Sequence, residues 1–576
     1  MKLYFSWLTF ITIDQNMHSQ ENCFTPFKES IDAYSLPEQF TFPFYYEPHP
    51  LCLLAAKELQ HHIETQTQWQ HNFGLTGNTD TAIGKMFGVL LVQKKCGEIG
   101  YLSAFSGKIA DKNLIPKFVP PVFDMLTEDS FFLAEQSEIN AINNQLQSLQ
   151  TNPKIAEFKM VLAEEKEAAR VQIESHRETM IEGRKVRKAQ RESGANELSP
   201  ADFLQLKAQL STESIKEKYQ LRDLKLYWDE QIKTAQQNLL QLTNELDLLR
   251  SQRKALSASL QQKLFEQYRF LNTDGVEKNL NDIFNDIPDH TPPAGSGECA
   301  APKLLHYAFK WGMKPLAMAE FWWGAAPKSE IRQHKNFYPA CKSKCQPILG
   351  HMLKGIAMDE NPLLANPAEG KTIDIVYQDD DMVVVNKPAE FLSVPGKTIE
   401  DSVYLRMKQR FPEATGPLIV HRLDMSTSGL MVIALTKRAN KSLQKQFISR
   451  TVQKRYVALI DGVLEQDEGI INLPMRGDLD DRPRQLVCYE HGKPAETTWQ
   501  VVERSNTQTK VYLHPKTGRT HQLRVHCAHS LGLNMPISGD DLYGHKASRL
   551  HLHAESLTLE HPITHEPMRF QVEAEF

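Results

Sequence analysis

The residues best suited to chemistry lie in HRLDMSTSGLMVIALT, residues 421–436. A polar segment that contains Asp424 precedes a short polar turn and an apolar run typical of a buried strand. Catalytic carboxylates are often found on loops that a rigid, buried element anchors. A single loop aspartate can equally be a turn residue that accepts hydrogen bonds from its own backbone. This segment alone leaves both interpretations open.

Two further segments favour the catalytic interpretation. In KTGRTHQLRVH, residues 516–526, the alternation predicts a strand that turns Arg524 away from its apolar neighbours. An arginine that faces inward is costly unless a carboxylate pairs with it. KRYVALIDG places Tyr456 at the start of another predicted strand, where its ring can stack on a base. The three segments together offer one carboxylate, one arginine and one aromatic ring, without a recognisable metal or phosphate-loop motif.

These motifs carry a specific resemblance. HRLDMSTSG, with VVVNKP upstream and KRYVAL, GRTHQLRVH and LHLHA downstream, resembles the RluA family of pseudouridine synthases in order and spacing. The resemblance covers residues 371–576. The stretch DRPRQLVCYEHGKPAETTWQVVE resembles the dual-specificity branch, which modifies both large-subunit rRNA and tRNA anticodon stem-loops. The S4-type RNA-binding domain of many members is not evident, and the long N-terminal extension is a departure from the short dual-specificity enzymes.

The resemblance implies a role for each matching residue. Asp424 matches the essential carboxylate, Arg524 the arginine that pairs with it, and Tyr456 the ring that stacks on the flipped uracil. Arg422 matches the residue that fills the gap left in the RNA stack, and two leucines match the apolar wall beneath the tyrosine. We expect substrate binding by Arg422, His421, Arg519, His521, Leu550 and Leu552. Lys387 in the NKP motif is interpreted as structural.

The implied reaction needs no cofactor, because the N1–C1′ bond of a uridine is broken and the base rejoined through C5 without oxidation. The carboxylate acts in its ionised form, either by attacking C1′ or by removing the C2′ proton, and the sequence leaves both routes open. An adjacent Arg524 would keep Asp424 charged. The target base must leave its stack, so loops and stem-loops are the expected substrates. Phosphate contacts are expected from Arg422, Lys454, Arg455, Arg482, Arg484 and Arg519, with a solvated surface equally supported for Arg482 and Arg484.

The composition is that of a globular protein with several domains: 576 residues, 41% hydrophobic and 24% charged. The net charge of −5 indicates no large basic surface, although it allows a local basic cleft. We predict an α+β chain with four parts: an α+β region (17–125), an antiparallel coiled-coil hairpin (130–272), a linker with a Cys/aromatic-rich segment (273–365), and a mostly antiparallel mixed-sheet catalytic domain (371–576).

Local patterns support this division. PLCLLAAKELQHHIE has helical spacing, and KMFGVLLVQKKCGEIGYLSAFSG reads as a β-hairpin. In the hairpin region, a heptad seam runs through Leu242, Leu246, Leu249, Leu256 and Leu260. GRKVRKAQRESGANELSPADF is predicted to interrupt the helices, with Ser199 and Asp202 as a capping box. Its basic tip either contacts RNA or is a solvated loop, and consists of Arg184, Lys185, Arg187, Lys188 and Arg191.

The cysteines are sparse and predict free thiols and not a disulfide framework. Cys299, Cys341 and Cys345 lie near His334 and His351 in sequence, which allows a zinc site, but the spacing is not that of a tight zinc knuckle. Buried structural thiols are the favoured interpretation, and we expect no metal at the catalytic site.

No apolar run is long enough to span a bilayer, and the first residues, MKLYFSWLTFITIDQNMHSQ, lack a signal-peptide cleavage pattern. Translation from Met17 is an alternative start. We expect a cytoplasmic RNA-modifying enzyme with an RNA partner, no membrane partner, and a ribosomal or protein partner through the coiled coil. The alternative is a non-catalytic RNA-binding or ribosome-assembly factor that retains the fold; an intact set of Asp424, Tyr456 and Arg524 argues against it.

Overall fold

The computed structural model describes residues 23–76, 81–285, 287, 291–479 and 481–576. The N-terminal segment with the alternative start at Met17 lies outside these ranges. None of the helices they contain combines the length and apolarity that a bilayer crossing requires. The chain separates into two units, residues 1–124 with 265–576 and residues 125–264. We describe each unit by itself.

The first unit begins with a four-stranded antiparallel sheet in the order β1-β3-β2-β6. Its strands are β1 (Thr25–Pro26), β2 (Lys85–Gln93), β3 (Ile99–Phe105) and β6 (Lys314–Trp323), and helix α1 (Pro50–Thr65) packs on it. The predicted hairpin is confirmed as β2 and β3, and the predicted helix as α1. The apolar faces of these elements form one core with Phe87, Phe321 and Trp323 fully buried.

The segment 273–365 differs from the prediction, because it completes this sheet. Strand β6 pairs with β2 along its length, so residues from both sides of the helical region share one core. Strand β4 (Arg269–Leu271) lies just before this segment. The segment itself holds β5 (Glu277–Asn279) and α5 (Leu280–Phe284), followed by α6 (Ala300–Lys310) and α7 (Cys345–Met352). Pairing between strands about 220 residues apart leaves no local pattern in the sequence.

The second unit is a helical hairpin. Helices α2 (Phe131–Gln150) and α3 (Pro153–Glu197) form one arm. Helix α4 (Pro200–Gln267) forms the other arm, and its last residues extend past residue 264, where the second unit ends. The arms run antiparallel: Glu135 pairs with Lys263, and Arg187 pairs with Glu217. The predicted seam leucines are the less exposed residues of α4, and Ser199 caps the backbone N–H of Asp202 as predicted.

The predicted helix interruption at residues 183–203 is wrong for most of its length, because α3 continues to Glu197. Its glycines mark close approach between the helices and not a break. A Cβ at Gly194 would lie 2.7 Å from a Leu206 methyl, and one at Gly183 2.8 Å from the Glu217 carboxylate. The basic tip residues are therefore helical, and Arg187 is buried against Glu217, so it is not available to RNA.

The C-terminal domain is built on a ten-stranded mixed sheet. The main path is β12-β15-β16-β11-β17-β10-β8-β7, with β18 beside β17 and β9 beside β10. The strands are β7 (Asp374–Gln378), β8 (Met382–Lys387), β9 (Leu418–Ile419), β10 (Ser428–Ala434), β11 (Gln453–Asp461), β12 (Glu468–Asn472), β15 (Glu496–Arg504), β16 (Gln508–Pro515), β17 (Leu552–Glu560) and β18 (Pro567–Gln571). A separate small hairpin joins β13 (Met475–Gly477) to β14 (Gln485–Val487).

All pairs in the large sheet are antiparallel except β10 with β17. At this parallel junction Gly429 has φ +115°, and a Cβ there would lie 2.4 Å from the Ala554 carbonyl oxygen. Only glycine allows this close approach. Helices α8 (Val403–Arg410), α9 (Lys437–Ser449) and α10 (Gln522–Ala528) complete the domain. The predicted α+β class, with a mostly antiparallel mixed sheet in the C-terminal domain, is confirmed.

Candidate active site

Asp424 lies on an irregular loop, residues 420–427, that leads into the fully buried strand β10. The loop is fixed by its backbone. The Ser393 hydroxyl donates to the Leu423 carbonyl (2.7 Å) and accepts from the Leu423 N–H (3.1 Å). The Met425 carbonyl accepts from the Lys387 ammonium (2.9 Å). Asp424 is thus held half-buried between two anchored residues, as the sequence predicts for a carboxylate in front of a rigid element.

Lys387, from the NKP motif, is the main anchor of this loop. Its side chain is fully buried, and Nζ donates to three carbonyl oxygens: Pro388 (2.9 Å), Phe391 (2.8 Å) and Met425 (2.9 Å). Burial lowers the pKa of Lys387 to about 7, while the nearby carboxylates, including Asp424, act in the opposite direction. The side chain therefore orders the loop and places a cationic group close to Asp424.

Tyr456 stands on β11 at the predicted position. The register of β11 against β17 shifts between Arg455 and Tyr456, and such a bulge redirects the side chains beside it. The ring packs against the core cluster that contains Leu550 and Leu552. Burial, reinforced by the Asp424 carboxylate, raises the pKa of Tyr456 above its usual value. Its hydroxyl therefore stays protonated at neutral pH.

A cleft of about 790 Å³ opens in front of this group, and a smaller pocket of about 120 Å³ adjoins it at Asp424. The two cavities share Arg422, Lys454, Tyr456 and Arg519 in their walls. Among the described residues, Asp424 is the only carboxylate in either lining, whereas the basic lining residues are Arg422, Arg450, Lys454, Lys516, Arg519 and Arg524. A chain of net charge −5 therefore presents a basic cleft around a single carboxylate.

The predicted ion pair between Arg524 and Asp424 is not present in the structure. Arg524 is buried and bonds through Nε and Nη2 to Asp540 (2.8 and 2.5 Å) and through Nη2 to Asp541 (2.8 Å). Burial alone would lower the pKa of the guanidinium, but Asp540 and Asp541 hold it well above its usual value. The loop that carries the two aspartates thus supplies the counter-charge that sequence reasoning assigned to Asp424. Arg524 still lines the pocket beside Asp424.

The predicted strand QLRVH is also wrong, because these residues form α10. Every residue of this short helix is buried, so no polar face discloses a helical period. His521 precedes α10 with φ 54°, and its Nδ1 is 2.9 Å from the Tyr543 hydroxyl. Burial and the neighbouring Arg524 lower the pKa of His521 to about 4. His521 is therefore a neutral packing residue and is not part of either cavity wall.

His421 lines the cleft, but its polar atoms are used within the fold. Its Nε2 accepts the Val432 N–H (3.0 Å), and its ring stacks on Phe447 at 4.6 Å. Burial, with Lys454 nearby, lowers the pKa of His421 to about 3, so the imidazole is neutral. His421 therefore contributes a neutral ring, and not a charge, to the lining of the cleft.

The remaining predicted phosphate contacts divide into three groups, of which the first is Arg482 alone, exposed and in neither cavity wall. Arg422, Lys454 and Arg519 line both cavities. Arg455 is paired with Glu555 (2.6 Å), and Arg484 is buried in an ion pair with Asp481 (3.0 Å). Those two arginines are therefore structural. Arg422 is exposed and makes no ion pair with any residue in the described ranges.

Sequence reasoning missed several residues of the cleft. Arg450 ends α9 in the left-handed conformation (φ 61°), and Lys516 and His514 come from the end of β16. Ile448, 81% exposed, adds an apolar surface. These residues meet only because α9 and β16 are adjacent in the fold. The charge of the α9 helix, with five lysines and arginines from 437 to 450, was the one local signal.

Comparisons with known proteins show the family to which this part of the chain is similar. The RNA pseudouridylate synthase family matches residues 381–529. The "Dual-specificity RNA pseudouridine synthase RluA" of Yersinia pestis is 50% identical over 210 residues, which cover 35% of this chain and 99% of that protein. The protein of the same name from Escherichia coli K12 is 47% identical over 219 residues, with 37% of this chain and 97% of that protein covered.

Among solved structures, human RNA pseudouridylate synthase domain containing 1 is 31% identical and covers 37% of this chain and 87% of its own, with a TM-score of 0.32. The matched part of the chain is the C-terminal domain in the sequence comparisons. The N-terminal sheet and the helical hairpin lie outside the length of the bacterial relatives.

Proposed function

Because the chain belongs to the RluA family of RNA pseudouridine synthases, enzymes that isomerise uridine to pseudouridine, we propose that it modifies stem-loops of large-subunit rRNA, of tRNA, or of both, with Asp424 as the catalytic carboxylate. The observation that carries this assignment is the single carboxylate of a basic cleft, placed beside a partly buried tyrosine. We also infer a cytoplasmic location, where these RNAs are found.

Asp424 is proposed to act on the ribose of a flipped uridine. In one route the carboxylate attacks C1′ as the N1–C1′ bond breaks; in the other it removes the C2′ proton. In the first route the freed uracil turns and C5 displaces the Asp424 carboxylate from C1′; in the second, C5 bonds to C1′ as the carboxylic acid of Asp424 returns the proton to C2′. In both, the C5 proton is then lost and N1 is protonated. Lys387 interacts electrostatically with Asp424, and Arg524 lines the same pocket.

Tyr456 is proposed to hold the uracil by stacking during this turn. Its ring packs against the core cluster that includes Leu550 and Leu552, and it lines the pocket. Its raised pKa keeps the hydroxyl as a donor, which suits a group that relays the C5 proton. Arg422, exposed and without an ion pair within the described part of the chain, is proposed to enter the RNA stack in place of the flipped base.

Phosphate binding is proposed for the rim of the cleft. Lys454 and Arg519 are contributed by β11 and the loop before α10, and Arg450 by the end of α9. The close approach of Arg450, together with burial, lowers the pKa of Lys454. An RNA phosphate between these cations would relieve their mutual repulsion. The helical hairpin is proposed to recruit a ribosomal or protein partner.

The assignment can be tested by mapping pseudouridine in rRNA and tRNA of a strain that lacks the gene. Carbodiimide labelling and primer extension would locate the marks that wild-type protein restores. We expect Asp424→Asn to restore none of them, with a rate lowered by at least roughly 10³-fold in vitro. The matched control is Asp380→Asn, a substitution of an exposed aspartate in the turn before β8, which should behave as wild type.

Restoration of the marks by Asp424→Asn would refute the catalytic role of this carboxylate. Failure of the wild-type protein to restore any mark, despite RNA binding, would instead support the non-catalytic alternative. The 50% identity to a synthase over nearly its entire length argues for the enzyme.

A further inference from the structure

Three cysteine thiols come together in the N-terminal sheet domain, far in sequence from the catalytic residues. The sulfur atoms of Cys299, Cys341 and Cys345 all lie within 4.8 Å of one another. A tetrahedral zinc ion with Zn–S bonds of about 2.3 Å requires sulfurs about 3.8 Å apart. Small side-chain rotations therefore suffice to place all three sulfurs on one ion.

The backbone is arranged around these thiols. Cys299 is the N-cap of α6, and Cys345 is the first residue of α7, so two helix N-termini point towards the cluster. The backbone N–H groups of Lys344 and Cys345 are directed at the Cys341 sulfur. Such N–H donors and the positive ends of helices stabilise thiolates, which are the form that binds metal.

A buried carboxylate lies beside the thiol cluster, although its oxygens are not within 4.8 Å of all three sulfurs. Glu320 on β6 is 3% exposed and lies close enough to interact with Cys341. One of its oxygens accepts the Ala301 N–H (3.2 Å). Within the described ranges, no lysine, arginine or histidine nitrogen comes within 4 Å of this carboxylate. A buried carboxylate without a cation is costly, and a divalent ion between it and the thiols would remove that cost.

We propose that Cys299, Cys341 and Cys345 bind one zinc ion, and that the Glu320 side chain rotates towards it to become the fourth ligand. A disulfide would use only two of the three thiols and leave the third buried beside it, whereas a single ion uses all three. Soft thiolates favour zinc over calcium or magnesium, and a buried set of four protein ligands fits a structural and not a catalytic site.

The histidines that the sequence suggested as ligands are used elsewhere. His334 accepts the Gly324 N–H (3.0 Å) and packs on Trp323, and Nε2 of His351 is 3.0 Å from the Phe270 carbonyl oxygen. The ligand set therefore differs from the one expected from sequence proximity. Its fourth member comes from a strand that carries no Cys or His motif.

Zinc at this position would tie β6 to the starts of α6 and α7. These elements belong to the domain that joins residues from both sides of the helical hairpin. Structural zinc contributes directly to folding stability. We therefore expect a zinc-stabilised sheet domain, and this role is independent of the chemistry at Asp424.

The test is the metal content of the full-length protein, purified without a metal-binding tag under reducing conditions. We expect elemental analysis to give one zinc per chain, and mercurial treatment to release it. Reconstitution with cobalt(II) should give the thiolate charge-transfer band and the visible d–d bands of a tetrahedral site. A chelator should make three further thiols reactive and lower the thermal midpoint, with both effects reversed by zinc.

Variants identify the ligands. Cys341→Ser should lower zinc affinity by at least roughly tenfold, and Glu320→Gln should lower it while zinc remains bound through three thiolates. The matched control is Cys96→Ser, which changes an exposed thiol of the same domain and should keep full zinc content. The wild-type chelation experiment does not depend on whether a variant folds.

The proposal is overturned if the reduced wild-type protein contains no zinc and takes up neither zinc nor cobalt. It is equally overturned if iron occupies the site in place of zinc, or if Cys341→Ser and Cys96→Ser retain equal amounts of metal.

Discussion

At the scale of single residues, Arg524 and Asp424 share a pocket, yet the ion-pair partner of Arg524 is Asp540. Breaking a buried pair is expensive, so we expect Asp540→Asn to destabilise the protein by about 3 kcal/mol. Asp541→Asn should have a smaller effect, because its side chain is 25% exposed. Asp424→Asn should leave the thermal midpoint unchanged, since Asp424 makes no ion pair with the described residues. Scanning calorimetry of the three full-length variants checks this order.

An equal loss of stability for Asp424→Asn and Asp540→Asn would mean that Arg524 pairs with Asp424 in solution.

The pH dependence of stability provides a second check. Burial by itself would raise the pKa of Asp540, but Arg524 holds it below its usual value of 3.8. Its stabilising contribution is therefore present above about pH 4 and is lost as the pH falls further.

Tyr456 combines a ring and a hydroxyl whose contributions can be separated. Tyr456→Leu removes the stacking surface, which is worth about 1–3 kcal/mol per base, so kcat/KM should fall roughly 5- to 150-fold. Tyr456→Phe keeps the ring, so KM should be unchanged while kcat falls if the hydroxyl relays the C5 proton. Tritium release from uridine labelled at C5 measures both constants. Tyr512→Phe, on the adjacent strand β16, is the matched control.

If Tyr456→Phe has wild-type kcat, the hydroxyl has no part in the proton transfer.

The positions of Asp424 and Tyr456 were predictable because each begins or precedes a strand with a strong apolar pattern. The partners of Arg524 were not, because Asp540 and Asp541 lie in a loop that only the folded chain brings to it.

At the scale of elements, the loop that carries Asp424 depends on Lys387. The pKa of Lys387, about 7, predicts that kcat falls as the pH rises past this value. The neutral Lys387 amine has one N–H donor fewer than the ammonium group, which donates to three carbonyl oxygens. Stability should change in the opposite direction. A lysine whose folded pKa lies below the usual 10.5 destabilises the fold at low pH, and this penalty disappears between about pH 7 and 10.5.

Single-turnover rates from about pH 6 to about pH 9 test this. Lys387→Met should be slower throughout and should lack the wild-type decline. The matched variant is Lys371→Met, whose ammonium group donates to the Ala389 carbonyl (2.8 Å) outside the loop, and it should retain the wild-type profile. A profile that is the same in Lys387→Met and in wild type would exclude Lys387 as the titrating group.

The elements also show where sequence patterns fail. Helix α10 is buried on all sides and was mistaken for a strand. A helix without an exposed polar face shows no helical period of polar and apolar residues in its sequence. Helix α3 was expected to end near Gly183, although the glycines there and at Gly194 permit close packing with α4. In contrast, hairpins and amphipathic helices such as α1 were predicted correctly, because one face of each is polar.

At the scale of the whole molecule, the helical hairpin is an insertion into the sheet domain. The residues that flank it in the chain, Phe123 and Tyr268, both belong to the first unit, and their ring centroids are 5.9 Å apart. Removing everything before the catalytic domain would be a poor test of the hairpin. Ile331, from the preceding segment, lies in the core of the catalytic domain, and Tyr338 covers Arg484. Truncation at residue 365 would expose that core.

Replacing residues 127–264 with a short Gly/Ser linker isolates the contribution of the hairpin. Because β2 and β6 already pair without it, we expect the remaining chain to fold with an unchanged thermal midpoint for the sheet and catalytic domains. Activity on a short stem-loop should stay within about twofold of wild type, since no residue of 125–264 lines the cleft. Pseudouridine formation on cellular RNA should fall, because the proposed partner is no longer bound.

The two measurements separate the possible roles of the hairpin. Loss of activity on the short stem-loop, in a variant that is folded, would mean that the hairpin contributes to catalysis itself. Normal activity in both assays would refute recruitment. If only the cellular marks are lost, recruitment is supported. The variant Glu217→Gln, which removes the partner of the buried Arg187, then shows whether the paired structure of the hairpin is required. The exposed ion pair between Glu182 and Lys185 offers the matched control, Glu182→Gln.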